Sequence, residues 1–520
     1  MVWDRRWSGG SSGVVGSWGL ICLLMIWSIA LVAITATHGI GATPDSVNYL
    51  AGAESLLRCG EVLRANGSPM TTFPPGLSLL LAGLSVVGFE VPGAVVALNA
   101  LCAAASVALT FTLARSIGLS TALSLACATI LATSKATLYV HVYLWSEPPF
   151  SVLVLAVLVM LVRGCATSGF SGGRLALIGA MVSAATALRF LGLLLIPVVI
   201  AAVLAAGLKR DGWRRAGARA GVAALIASIG LICVVGRNLA LGQPPLGARS
   251  TSASTLSQVG GQALNALGDY ALAGVFPQAT AAIGVVVAVL LAGSLFAALW
   301  RREICPLLVA GFVVLWWAAL VYSALTTALD PIGARLLAPA FGPMVVILGY
   351  GAGVASSRLR GSSRRAGRSS RGGFLVGAGI AALASVVVIS SVGSIRYASY
   401  SARVGLGFSG VALQRSEVFA AIADLPAEAG IAMSDPERLY WVSRRRAVAA
   451  VPRDDYWYPV ERQQRELAVL QDRIGSGKVT HIAFYDKDAT SFTADDLQSA
   501  GLPIELLRQL EDGAVYQVVR

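Results

Sequence analysis

Eight side chains in this sequence are of the right type to do chemistry, and they lie near the ends of apolar runs: Asp45, Tyr49, Lys135, His141, Glu147, Arg189, Arg237 and Arg335. Asp45 is the first carboxylate after the short N-terminal tail, in TPDSVNYL. Thr43 suits a helix N-cap and Pro44 the first helical position. Asp45 then falls in the first turn, and Tyr49 follows at i+4 on the same face. At that position Asp45 either complements the helix dipole or serves as a functional carboxylate. Glu147 in WSEP allows the same two readings, as a helix-start acid before Pro148 or as a second working carboxylate. Arg189 ends ATALR, Arg237 begins RNLALGQPP, and Arg335 stands in ARLLAPA. A guanidinium at a span end can be a snorkelling anchor. Three of them on one side of a membrane, opposite carboxylates, instead make an anion site facing a cavity. Lys135 either reaches that anion or snorkels, and His141 is an interfacial hydrogen-bonding residue or a catalytic one.

The elements that must hold these residues are membrane spans. The chain has 520 residues, of which 56% are hydrophobic and 13% charged, and its mean hydropathy is +0.72. A soluble protein carries roughly 25% charged residues. Apolar runs at 18–37, 92–114, 120–138, 148–162, 175–188, 190–208, 217–236, 281–300, 305–325, 336–355 and 374–394 predict eleven spans. The first, preceded by Arg5 and Arg6, is long enough to be an uncleaved anchor.

Charge sets the expected orientation. With the N-terminus inside, 18 Lys/Arg fall on the cytoplasmic side, including the basic 356–373 stretch. A twelfth apolar run, Leu77–Phe89, would invert almost every basic loop if it crossed. It is therefore expected to lie on or dip into the outer surface. The first outer loop is then 38–91, and within it the face carrying Val47, Leu50, Ala51 and Leu57 could lie on the membrane. Seven of the ten acidic residues before position 395 fall outside. The net charge of +13 does not indicate nucleic acid, since no basic stripe with interleaved aromatics occurs. There is no Cys-x-x-Cys and no Cys/His cluster, so neither a zinc site nor a disulfide framework is indicated.

The expected domains are 1–394, transmembrane, and 395–520, an extracytoplasmic α/β domain with 15 Lys/Arg and 17 Asp/Glu. In the tail, SEVFAAIADLP, PERLYWVS, PVERQQRELAVLQDRIGSG and PIELLRQL predict helices. GIAMS, RAVAAV, THIAFYD and AVYQVV predict strands. The aromatic-acidic DDYWYP at Asp454–Pro459 either touches sugars or lipid headgroups or packs as an ordinary loop.

The Asp-Ser of the first outer loop, the later PPG followed by LSLLLAG, Trp145-Ser146-Glu147-Pro148, Leu188-Arg189-Phe190-Leu191-Gly192, Arg237-Asn238 and Arg335-Leu336-Leu337-Ala338-Pro339 together resemble the GT-C superfamily. Its members are integral membrane glycosyltransferases that use polyprenyl-phosphate sugars. The nearest likeness is to the bacterial protein O-mannosyltransferase and aminoarabinose-transferase families. The resemblance covers nearly the whole chain and implies a polytopic helical bundle with an outer α/β domain, in a bacterial plasma membrane. It implies a polyprenyl-phosphate sugar donor and an envelope lipid, glycan or protein acceptor, with membrane lipids as surroundings. It would make Asp45 the base or the acceptor-positioning carboxylate. The protein O-mannosyltransferases carry Asp-Glu where this chain has Asp45-Ser46, which argues against peptide mannosylation.

Such a transfer needs a carboxylate to take the acceptor proton, attack opposite the phosphate with inversion, and arginines to stabilise the departing phosphate. Asp45 is the candidate base. Glu147 would position the acceptor or, with Asp45, hold a divalent cation, the one cofactor left open. Arg189, Arg237 and Arg335 are the phosphate candidates, and Tyr49, Lys135 and His141 are further substrate-binding candidates. A transporter or lipid-linked-sugar flippase and an O-antigen ligase or polymerase are the alternatives. The first would favour inverted repeats, which the sequence does not show, and the second a late, large loop.

Overall fold

The computed structural model describes residues 11–167, 169–208, 210–366, 369–451, 460–486 and 493–519. The DDYWYP motif, Arg5, Arg6 and Lys209 lie outside the described residues. The chain forms a membrane helical assembly with a small C-terminal sheet, in two compact units. One comprises residues up to Thr35, Thr71–Gly76 and Ala94–Ala402. The other comprises Ala36–Met70, Leu77–Gly93 and Arg403–Arg520. The first-loop residues, grouped by sequence with the spans, thus pack largely with the tail.

In the first unit, nine helices among the described residues are long and apolar enough to cross a membrane, from Gly16–Thr35 to Gly377–Val404. Each expected span has a helix. The segment expected to run straight through 120–138 is instead broken into Thr121–Thr133 and Lys135–His141, bent by 56°. Ser134 makes the break: its side chain caps the second piece by accepting from Thr137 N at 3.3 Å. The Thr133 carbonyl is taken up by Ser394 Oγ at 2.7 Å. Gly172–Leu188 is shorter, at 17 residues. Gly76–Val86 has 11 residues, about 16 Å at the helical rise and too short for a ~30 Å hydrocarbon core.

The loop after Arg237 contains an amphipathic helix, Leu256–Leu272, that hydropathy alone does not reveal. It pairs closely with Thr280–Arg301 through glycines: a Cβ on Gly268 would lie 1.9 Å from the Thr280 carbonyl, and one on Gly284 1.9 Å from the Leu264 carbonyl. The described residues of the basic 356–373 stretch, expected as a loop, continue two helices, Ala334–Ala366 and Ser369–Val404.

The second unit is built on a five-stranded sheet in the order β2-β1-β3-β5-β4. The strands are β1 (Ile431–Met433), β2 (Ala449–Ala450), β3 (His481–Tyr485), β4 (Ile504–Leu510) and β5 (Gly513–Val518). β1 runs parallel to β2 and β3, whereas β5 is antiparallel to β3 and β4. β4 corrects the expected helix over PIELLRQL. Its leucines favour a helix, but Glu511-Asp512-Gly513 turns the chain back and pairs it with β5, from Leu510↔Gly513 to Ile504↔Val518. Only Ile504 is buried, as suits an edge strand. A short helix at Ala494–Ser499 was not expected.

The first-loop helix Pro44–Cys59 begins as its residues dictate, with Thr43 as N-cap, Pro44 in the first turn, and Thr43 N donating to Ser46 Oγ at 3.0 Å. The expectation that Val47, Leu50 and Ala51 face a membrane surface is overturned. They are buried, and Val47 and Ala51 join an apolar cluster with Val418, Phe419, Leu439 and Tyr440. Leu57 is exposed.

Candidate functional site

In the first unit the sequence brings two distant span ends to a carboxylate at a third. Glu147 opens the helix Glu147–Ala166, is fully buried, and precedes two prolines that suit a helix start. Its Oε1 receives Arg189 Nη1 and Arg335 Nε, each at 2.6 Å. Ser146 Oγ accepts from Arg189 Nη1 at 3.1 Å and lies 3.5 Å from Glu147 Oε2. Arg335 Nη1 also meets Asp330 Oδ2 at 3.2 Å, and its guanidinium lies 4.5 Å over the Trp145 ring.

Local structure fixes both arginines. Arg189 is an extended residue at the break between Gly172–Leu188 and the 3₁₀ turn Phe190–Leu194. That turn folds back so tightly that a Cβ on Gly192 would lie 2.5 Å from Thr186 N. The preceding residues are braced as well, because a Cβ on Gly76 of the PPG turn would lie 2.3 Å from the Ala187 carbonyl. Arg335 is the second residue of Ala334–Ala366. Its neighbours are pinned on either side, by Tyr270 Oη to the Ala334 carbonyl at 2.8 Å and by Trp316 Nε1 to the Leu336 carbonyl at 3.1 Å. Pro339, four residues on, has no N–H to give to the Arg335 carbonyl.

An aromatic wall adjoins the arginines. Tyr143 stacks on Trp145 at 4.5 Å and 12°, and Tyr139 meets both edge-on. Tyr397 lies 6.1 Å from Tyr139, and Lys135 Nζ sits 5.9 Å over the Tyr397 ring. Burial raises the Asp269 carboxyl above its ordinary range, and Lys135 opposes that shift.

The structure therefore unites Glu147, Arg189 and Arg335, with Lys135 along the same aromatic wall. His141 is buried, with Nδ1 2.8 Å from the Thr137 carbonyl of its own helix. Arg237 lies in the last turn of Gly212–Ala240, half-buried. The next residue, Asn238, ties that turn to the Thr71 and Pro245 carbonyls at 3.2 and 3.0 Å. Asp45 and Tyr49 belong to the second unit. Asp45 is half-buried in the first turn of its helix, and Tyr49 is 1% exposed, with its carbonyl accepting from Ser78 Oγ at 2.9 Å.

Asp330, Tyr139, Tyr143 and Tyr397 were missed. Asp330 stands five residues before Arg335, and the tyrosines flank Trp145 in sequence or recur late in the last span, so only the fold collects them. A divalent cation does not fit Glu147, because two guanidinium groups share one of its oxygens. Among the described residues no group of three or more His, Cys, Asp or Glu side chains is placed to hold a metal ion.

This arrangement of spans and sheet is a fold shared with several solved proteins. The chain is similar over 96% of its length to ArnT from Cupriavidus metallidurans bound to undecaprenyl phosphate. The TM-score is 0.61 with 15% identity, and 98% of that protein is covered. It is similar over 98% of its length to the archaeal oligosaccharyltransferase AglB from Archaeoglobus fulgidus in complex with an inhibitory peptide and a dolichol-phosphate, with TM-score 0.57 and 10% identity, covering 75% of that chain. Arabinofuranosyltransferase AftD from Mycobacteria matches 96% of this chain and 41% of its own, with TM-score 0.55 and 14% identity. No protein-family model and no curated protein sequence matches the chain.

Proposed function

We propose that this chain is a glycosyltransferase of a bacterial plasma membrane, moving a sugar from a polyprenyl-phosphate donor to an envelope lipid, glycan or protein acceptor on the outer face. The observation that carries this reading is the pair Arg189 and Arg335, both held 2.6 Å from one buried Glu147 oxygen. A buried carboxylate with two guanidinium groups on it orients them and offsets their mutual repulsion. Their side chains remain 17% and 15% exposed. Glu147 is thus a positioning residue for the arginines rather than a base. In a chain with this fold, that anion is the phosphate of a lipid-linked sugar, as in the ArnT and AglB structures with undecaprenyl phosphate and dolichol-phosphate.

Asp330 is half-exposed and occupies Arg335. The donor phosphate displaces it, and the guanidinium groups then take the charge that grows as the anomeric C–O bond breaks. The acceptor hydroxyl oxygen bonds to the anomeric carbon from the face opposite the phosphate, and the configuration at that carbon is inverted. The hydroxyl proton passes to a carboxylate, the role assigned to Asp45 from its place in the first outer loop. Lys135 and the Tyr139–Trp145 wall line the approach to the phosphate, and the N-terminus is cytoplasmic with the tail outside.

The test is a comparison of envelope glycans and lipid-linked sugars in cells with and without this chain. Loss of one sugar linkage, together with accumulation of its polyprenyl-phosphate donor, is expected. Unchanged glycans with altered movement of a lipid-linked sugar across the bilayer would instead make it a flippase.

A further inference from the structure

The tail domain was left without a role by the sequence, and the second unit supplies one. One face of the tail helix Pro436–Ser443 and its cap meets the first-loop helix at three places, through Glu437, Tyr440 and Arg444, spaced i, i+3 and i+7. Tyr440 Oη donates to Glu54 Oε2, and Arg444 Nε lies 3.6 Å from Glu54 Oε1. Burial, followed by the Glu54 hydrogen bond, pushes the Tyr440 phenol up to about 12, so it remains a donor throughout the physiological range. Glu437 Oε1 accepts from Asn48 Nδ2 at 3.4 Å.

Asn48 extends that contact to the first turn. The same Nδ2 donates to the Pro44 carbonyl at 3.0 Å, and Oδ1 accepts from Ala65 N at 3.1 Å. Asn48 is 7% exposed, so leaving any of these bonds unmade carries a desolvation cost. Pro44 is the residue before Asp45. Val47 and Ala51 bury against Leu439 and Tyr440 in the same apolar cluster.

We propose that the tail helix is a positioning clamp for the acceptor carboxylate: Glu437, acting through Asn48, and Tyr440, acting through Glu54, fix the helix turn that carries Asp45. This rests on the transfer reaction proposed above. The clamp makes the tail a part of the acceptor half-reaction and gives it no part in holding donor.

The test uses the full-length chain in lipid nanodiscs, with variants Glu437→Ala, Glu437→Gln and Tyr440→Phe. Two quantities are read: amide exchange over residues 45–48, and kcat and donor KM per folded molecule. Glu437→Ala and Tyr440→Phe should each raise exchange by about tenfold and lower kcat by at least about tenfold at unchanged donor KM, as displacement of a reacting group does. Glu437→Gln keeps an oxygen for Asn48 and should stay near wild type in both. Faster exchange with unchanged kcat, unchanged exchange, or failure of Glu437→Gln alongside Glu437→Ala would overturn the clamp. If Glu437→Ala does not fold, Tyr440→Phe and Glu437→Gln still decide. A wild-type chain that transfers no sugar removes the reaction, while the exchange measurement still shows whether the tail orders the first turn.

Discussion

Arg335 Nε and Glu147 Oε1, 188 positions apart in the chain, meet at 2.6 Å, with the guanidinium carbon 4.5 Å over the Trp145 ring. A guanidinium held by a buried carboxylate and packed on an indole has few orientations open to it. Its remaining donors are aimed by the fold rather than by the ligand.

Lysine cannot reproduce that aim. Arg335→Lys and Arg189→Lys keep the charge but lose the fork geometry, and each should lower kcat/KM for donor by about 10²–10³-fold, the scale of losing one aimed donor. Steady-state transfer with purified variants at matched folded amounts checks this. Activity within twofold of wild type would place the phosphate elsewhere.

Glu147→Gln separates a positioning carboxylate from a base. If Glu147 orients the arginines, the variant removes the buried counter-charge that the two guanidinium groups share. Breaking such a buried pair costs about 3–5 kcal/mol, so the unfolding temperature should fall and the donor KM rise together. If Glu147 were the base, kcat alone would fall by about 10²–10⁴-fold at unchanged stability. Thermal unfolding and kinetics on one preparation distinguish the two.

Much of this was legible in the sequence, and what was not has physical reasons. The spans, the N-cap at Thr43 and the shared sidedness of Arg189 and Arg335 follow from hydropathy, capping chemistry and charge. The sequence pairs Glu147 with Asp45 and Arg237 with the other arginines, and only the fold puts Glu147 between Arg189 and Arg335. The break at Ser134 was hidden because both halves are apolar, and only the caps at Ser134 and Ser394 reveal it. The β4 strand was hidden because its leucines favour a helix and pairing with β5 decides otherwise. The burial of Val47 and Ala51 was hidden because a helix face suited to a membrane suits a protein core equally well.

Asp330→Asn tests the displacement step. The aspartate pairs with Arg335 at 3.2 Å and is half-exposed, so a donor phosphate would have to displace it. Removing its charge should lower the donor KM by about two- to fivefold, the worth of a surface ion pair, with kcat unchanged. A raised KM would mean that Asp330 holds Arg335 in place for the donor instead of competing with it.

The Leu256–Leu272 and Thr280–Arg301 pair should be intolerant of any side chain at its contact. Gly268→Ala and Gly284→Ala each force a methyl into a backbone carbonyl 1.9 Å away, and each should cost about 1–3 kcal/mol. Thermal unfolding in detergent reads this, and a variant as stable as wild type would contradict the packing.

The most direct test of the central claim needs neither the sugar nor the acceptor. Radiolabelled polyprenyl phosphate is titrated against the purified chain in nanodiscs, alongside the Arg189→Lys, Arg335→Lys double variant. Saturable binding by the wild-type chain, weakened at least about tenfold in the double variant as two aimed donors are lost, is the predicted result. No saturable binding, or equal binding by both proteins, would contradict the reading of Arg189, Glu147 and Arg335 as the cradle of a lipid phosphate.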